Sequence, residues 1–137
     1  MAMFAAFPLL GLVVLAYCAM ALAGGLDTQS VVFSARMASG ADFSLRNGDI
    51  FVLVGLLFLF FEIIKSARVR SGTVLDHMLS TFVFIAALVL FLLAPFAATS
   101  TFFLVMCMAL LDVIAGFTVS IFSARRDYTV GHDNGGL

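Results

Sequence analysis

The sequence predicts an all-α integral membrane protein, with four transmembrane helices in one bundle and a short β-hairpin in the loop between helices 1 and 2. The composition is the first reason, because 64% of the 137 residues are apolar and only 11% are charged. The second reason is that the apolar residues fall into four runs of roughly the 20 residues that a helix needs to cross the hydrocarbon core. The third is a single long connection whose pattern is not helical.

The four apolar runs cover residues 3–23, 49–64, 75–94 and 99–124. The second run is the shortest, but Lys65 can extend its side chain toward the headgroups, so this helix still spans the membrane. Pro95 separates the third run from the fourth, and the short connection there requires two antiparallel, neighbouring helices. Residues 1–137 therefore form one membrane domain.

The connection over residues 24–48 forms an external loop with the features of a β-hairpin. Residues 30–37 and 43–46 mix β-branched, aromatic and polar side chains on either side of Gly40. This pattern predicts two paired strands. Because an isolated hairpin is marginal in water, we expect it to lie against the membrane surface or to cap the helix ends. Gly48 and Asp49 then predict the turn and N-cap of the second helix.

The basic residues predict the orientation in the membrane. With four spans, two of the seven basic residues lie on the external side, Arg36 and Arg46, and the other five lie together on the opposite side. Because cytoplasmic segments carry an excess of Lys and Arg, both termini are predicted to be cytoplasmic. Residues 125–137 then form a cytoplasmic tail, where Arg125 and Arg126 complement the negative helix end and contact anionic headgroups.

Asp112 is the most informative residue, because a carboxylate near the bilayer centre costs about 2.5–3.5 kcal/mol to insert. It should therefore be protonated, hydrogen-bonded or turned toward protein. Tyr17 has a similar predicted depth, so we expect its hydroxyl or a backbone carbonyl to satisfy Asp112. Small and polar residues recur around the acid at spacings of three and four, and this stripe predicts a helix-packing seam rather than a pore lining. The stripe consists of Ala109, Asp112, Gly116, Ser120 and Ser123.

Charged residues at the cytoplasmic boundary admit a structural and a functional interpretation. Glu62 and Lys65 are three residues apart on one helix face, which predicts an interfacial ion pair. The alternative is a proton-relay carboxylate, which requires Glu62 to turn inward on the face of Gly55. Thr73 and Asp76 have the spacing of a capping box, so Asp76 is predicted to be structural.

The sequence predicts no enzyme, no metal site and no cofactor. His77 could ligate a metal or tetrapyrrole, but a bis-histidine haem needs a second membrane histidine, so His77 is predicted to be a boundary residue. The chain contains no HExxH motif and no Ser–His arrangement within a span. A net charge of −1 provides no basic surface for nucleic acid.

Several short runs resemble those of a family of small, uncharacterised four-helix inner-membrane proteins of alphaproteobacteria. The resemblance covers most of the chain from Gly40 onward and implies a bacterial inner-membrane location and four helices. It implies no activity, so no functional residue is taken from it. The runs are Gly48-Asp49, Phe61-Glu62-Ile63-Ile64-Lys65, Asp76-His77-Met78-Leu79-Ser80 and Ser123-Ala124-Arg125-Arg126-Asp127.

Two functions fit these features. The first is a non-enzymatic accessory subunit that packs into a larger inner-membrane assembly, such as an energy-converting or photosynthetic complex. The second is a small homo-oligomeric transporter or proton-coupled channel that uses Asp112 or Glu62. The partners are accordingly lipids together with other membrane subunits or further copies of the chain. The sequence favours the accessory subunit, because the chain is small, shows no soluble domain, carries the small-residue seam around Gly116 and has a polar tail suited to a partner.

Overall fold

The structure, a computed structural model, describes residues 8–68 and 73–130. Within these ranges the chain forms four α-helices, a two-stranded hairpin between the first two helices, and a 3-10 turn at Pro95–Ala97. The four helices and the hairpin predicted from the sequence are thereby confirmed. The helices are Leu9–Leu22 (α1), Asn47–Arg68 (α2), Thr73–Leu93 (α3) and Ser100–Val130 (α4), and the strands are Val31–Arg36 (β1) and Asp42–Arg46 (β2).

Three helices are long and apolar enough to cross a membrane, judged by length and composition. The qualifying segments are Asn47–Ala67, Leu75–Leu93 and Ser100–Phe122. In its described part α1 is shorter, at 14 residues. The predicted start of the first span at residue 3 lies outside the described residues. These properties agree with a membrane protein.

Helices α2 and α4 extend beyond the apolar runs that predicted them. The second helix begins at Asn47 rather than at residue 49 and continues through Arg68, and α4 continues through Val130 rather than ending at residue 124. An apolar run marks the length that can lie in hydrocarbon, whereas the backbone hydrogen bonds of a helix can continue into the polar boundary. The first part of the predicted tail is therefore helical, and residues 131–137 lie outside the described residues.

The sequence predicted Asp49 as the N-cap of α2. In the structure α2 begins at Asn47, so Asp49 is the third residue of this helix. Its Oδ2 accepts the backbone N–H of Arg46 at 2.8 Å, which is the acidic half of a capping box. Gly48 is also helical, and its backbone N–H donates to the Thr28 carbonyl at 3.0 Å. A Cβ at Gly48 would overlap the side chain of Thr101 on α4. The glycine thus permits close approach of two helices instead of forming a turn.

The hairpin forms a regular antiparallel pair, with a bulge near its base between Val31 and Phe33. At the tip, the Met37 backbone N–H donates to the Ala41 carbonyl at 2.8 Å. Gly40 has a φ of +85°, a backbone conformation that favours glycine. The predicted turn is therefore present at the predicted place.

The fourth helix is central, because it packs along both α2 and α3, while α1 lies mainly against α2 and also reaches α3 and α4. At the hairpin end the core is aromatic. The ring of Tyr17 on α1 lies 5.4 Å from Phe51 on α2 and 5.0 Å from Phe102 on α4. The opposite end of the bundle holds the buried polar residues described next.

Candidate functional site

Ionisable side chains from α2, α3 and α4 meet inside the bundle at the end opposite the hairpin. We call Glu62, Lys65, Asp76, His77 and Asp112 the charge cluster. Glu62 is 1% exposed and Asp112 is 4% exposed, and His77 is also buried. Asp112 acts electrostatically on Glu62 and is itself influenced by the other three members. Since such groups are expensive to bury in a membrane bundle, the cluster is the strongest candidate for a functional site.

Lys65 connects α2 to α3. Its Nζ lies 3.1 Å from Oε1 of Glu62 and 3.2 Å from Oδ1 of Asp76. The predicted Glu62–Lys65 pair is thus present, and Asp76 belongs to it. The side chain of Thr73, the other half of the predicted capping box, lies outside the described residues.

Glu62 also holds the start of α1. Its Oε2 accepts the backbone N–H of Leu9 at 2.7 Å. Pro8, which precedes the helix, provides no side-chain cap. The first N–H groups of a helix lack hydrogen-bond partners within the helix and carry partial positive charge. A carboxylate from α2 accepts such a hydrogen bond and interacts favourably with that charge. Glu62 is therefore turned inward, on the buried face that includes Gly55, as the proton-relay alternative requires.

Asp112 is paired with α3 and not with Tyr17. Its carboxylate makes a side-chain hydrogen bond with Ser80. The hydroxyl of Tyr17 instead lies 2.6 Å from Oγ1 of Thr99 and donates to the Phe96 carbonyl at 3.4 Å. Thr99 is separated from Asp112 by 13 residues of helix, or about 20 Å along the axis. The predicted Tyr17–Asp112 contact is wrong.

The error lies in the depth assigned to the first helix. The prediction placed its cytoplasmic edge at residue 3. In the structure Leu9 lies beside Glu62, close to the end of α2. Tyr17 follows Leu9 by eight residues, about 12 Å further along the axis, and so reaches the hairpin end of the bundle. Hydropathy indicates which residues lie in the membrane but not how neighbouring helices are offset.

His77 lies one helical turn after the start of α3, near the end of the helix as predicted, and its side chain is buried in the bundle. Its imidazole stacks on Phe117 with a centroid distance of 6.1 Å and an interplanar angle of 24°. It also lies over Gly116, where a Cβ would overlap the ring. Among the described residues, no hydrogen-bond partner is present for Nε2 of His77. Gly116, which was predicted as part of a helix-packing seam, therefore makes room for the His77 side chain of α3.

The remaining predicted residues are spread along α4. Ala109 is buried, and the hydroxyl of half-buried Ser120 donates to the Gly116 carbonyl at 3.1 Å, a bond within the helix. Arg125 is exposed, whereas the side chains of Ser123 and Arg126 lie outside the described residues. Of the predicted seam, Ala109, Asp112 and Gly116 are buried and Ser120 is half-buried.

Ser80 is the cluster residue that sequence reasoning missed. It is buried and lies four residues after Asp76, on the same face of α3. That spacing was a usable signal, because a polar residue one helical turn after an interfacial acid indicates a polar face. Among the residues that the structure describes, no group of three or more His, Cys, Asp or Glu is arranged to hold a metal ion.

Gly116→Ala is expected to destabilise the folded protein by about 1–3 kcal/mol, because the new methyl group overpacks the contact with His77. Thermal unfolding of the purified protein in detergent measures the loss. Gly25→Ala is the control, since among the described residues no atom lies within 4 Å of a Cβ there. Adding His77→Ala to Gly116→Ala should recover part of the loss, and a Gly116→Ala variant as stable as the parent would contradict the packing.

Comparison of the chain with known protein families, with curated proteins and with solved structures finds no match.

Proposed function

We propose that the chain is the subunit of a small homo-oligomeric, proton-coupled channel or transporter, in which Glu62 and Asp112 bind and release protons. Four helices enclose little more than their own side chains, so a conduit requires several copies of the chain. The proposal rests on the charge cluster, which gathers buried acids that are far apart in the sequence.

The supporting observation is the charge balance of the cluster. It contains three carboxyl groups and one ammonium group, with His77 beside them. With all three carboxyl groups ionised, the cluster would carry two more negative than positive side-chain charges, which is unfavourable within a membrane bundle. Binding of protons by the cluster relieves this excess. A change in how far water reaches the charge cluster would then change the number of protons bound to the cluster.

The arrangement also offers a way in for protons. Lys65 and Asp76 have side chains that are 22% and 13% exposed, while Glu62 and Asp112 are buried behind them. A proton arriving at the outer pair can pass to Glu62, and from there toward Asp112 and Ser80. This proton path leads from the end of the bundle toward its middle, as a relay requires.

We place the protein in a bacterial inner membrane with both termini in the cytoplasm. The basic residues favour this orientation, because Lys65 and Arg68 end α2 on one side while Arg36 and Arg46 lie in the hairpin on the other. The charge cluster then opens toward the cytoplasm. The resemblance to alphaproteobacterial inner-membrane proteins supports the same location.

The test is proton flux in proteoliposomes that carry a trapped pH-sensitive dye and an imposed potassium diffusion potential. We expect flux with the parent protein and its loss in Asp112→Asn and in Glu62→Gln. Both changes remove a titratable group while keeping nearly the same shape, so they separate proton binding from packing. Size-exclusion profiles and circular dichroism establish that each variant is folded.

Asp42→Asn is the matched control, because it makes the same chemical change at an exposed acid in the hairpin. It should conduct as the parent does. An inactive parent protein at every gradient would overturn the channel proposal. An active parent whose two cluster variants conduct normally would show that the protons take another route.

The accessory subunit remains a second candidate because of an apolar groove between α1 and α2. The groove has a volume of about 310 Å³ and almost entirely apolar walls, a suitable surface for a helix of another membrane subunit. Its lining includes Leu12, Ala16, Ile50, Val54 and Phe58. Mass spectrometry of the tagged protein, purified from its own membranes in mild detergent, distinguishes the two: a stoichiometric partner without flux supports the accessory subunit.

A further inference from the structure

The two faces of the β-hairpin differ in polarity, because apolar and polar residues alternate along each strand. In an antiparallel pair, residues that face each other across the strands have side chains on the same side. Phe33 faces Leu45, and Ala35 faces Phe43, so these four form an apolar face. The other side carries the pairs Ser34–Ser44 and Arg36–Asp42.

The apolar face is uncovered within the described part of the chain. Phe33 is 56% exposed and Phe43 is 46% exposed. Two exposed aromatic rings on one side of a two-stranded sheet are unfavourable in water, and such a hairpin has little stability of its own. Its apolar face therefore requires a covering surface.

The position of the hairpin identifies that surface as the bilayer. Strand β2 ends at Arg46 and α2 begins at Asn47, the first residue of a segment that qualifies as a membrane span, so no linker separates them. The Asn47 backbone N–H donates to the Ser30 carbonyl at 3.0 Å, which ties the start of β1 to the same helix end. The base of the hairpin is thus fixed at the membrane boundary.

We infer that the hairpin lies on the bilayer that the helices cross, with Phe33 and Phe43 inserted among the headgroups and upper acyl chains. Phenylalanine on the apolar face and serine on the other are suited to this boundary, where one side contacts lipid and the other water. The pair Arg36–Asp42 leaves the outer part of the hairpin without net charge. The insertion is therefore expected in zwitterionic phosphatidylcholine as well as in anionic membranes.

The experiment uses the absence of tryptophan from the chain. Phe33→Trp and Phe43→Trp each introduce one fluorophore on the apolar face, and Ser34→Trp and Ser44→Trp introduce one on the polar face. Each full-length variant is reconstituted at low protein density into phosphatidylcholine vesicles, with or without lipids brominated near the headgroup end of the acyl chain. Emission wavelength reports the polarity around the indole, and quenching by bromine reports contact with lipid.

We expect blue-shifted emission and loss of fluorescence in brominated vesicles for the two apolar-face variants, with red-shifted, unquenched emission for the two polar-face variants. Equal, red-shifted emission from all four would overturn the inference, because the hairpin would then stand in water. Blue-shifted emission without quenching on the apolar face would also overturn it, because protein would then cover that face. Proton flux plays no part in this readout, so the result is independent of the channel proposal.

Discussion

Lys65→Met is expected to destabilise the bundle by about 3–5 kcal/mol near neutral pH, because it leaves buried acids without their cation. The ammonium group lies 3.1 Å from Glu62 and 3.2 Å from Asp76, whereas methionine has similar length and no charge. Unfolding by denaturant in a mild detergent gives the change in free energy. Lys65→Arg keeps the positive charge and should lose much less, although its planar group fits the two acids differently.

The loss in Lys65→Met should depend on pH. Position 65 contacts Glu62 on its own helix and Asp76 on α3, and it acts electrostatically on Asp112 on α4. His77, on the same helix as Asp76, also acts on Asp112. Without the lysine, the folded variant relieves its excess negative charge by holding more protons than the unfolded chain. Its stability should therefore fall as the pH rises and recover under mildly acidic conditions. An equal loss across this range would contradict the charge-excess argument on which the proposed function rests.

Tyr17→Ala is expected to cost about 3–5 kcal/mol, because it removes a large buried ring from the aromatic core at the hairpin end. The side chain is 1% exposed and contacts the rings of Phe51 and Phe102. Tyr17→Phe keeps the ring and should cost about 1 kcal/mol, the value of one hydrogen bond, here to Thr99 or Phe96.

Leu15→Ala is the matched control for Tyr17→Ala, because it shortens a large side chain on the same helix that is 59% exposed. Shortening the Leu15 side chain opens no cavity in the bundle, so we expect a small change in stability. Thermal unfolding of the three variants in one detergent provides the comparison. If Leu15→Ala were as destabilising as Tyr17→Ala, the aromatic core would not be what holds α1 to the bundle.

The local elements were predictable because their causes are local. Apolar runs of sufficient length indicate helices, and the β-branched and aromatic residues around Gly40 indicate a hairpin. Each of these structures is held mainly by hydrogen bonds between residues close in the sequence. The Glu62–Lys65 pair was predictable for the same reason, since the two residues are one helical turn apart.

The partners of Asp112 and Tyr17 were not predictable in this way. Asp112 contacts Ser80 on α3, and Tyr17 contacts Thr99 just before α4. Which residue each one meets depends on how far one helix is displaced along another. Side-chain packing sets that displacement: Gly48 approaches Thr101, Gly55 approaches Met108 and Gly116 accommodates His77. These contacts join complementary shapes on different helices.

The sequence by itself determined that the chain has four apolar helices and a hairpin, and which acids are exceptional within those helices. It predicted four membrane spans, of which three have the required length and composition in the described part of the structure. Only the tertiary structure decided that Glu62, Asp76 and Asp112 share one site, with Glu62 and Asp112 buried, and that Glu62 holds the start of α1 across 53 residues of sequence. The physical reason is that hydropathy and helix formation act over neighbouring residues, whereas rotation and offset between helices follow from the packing of the whole bundle.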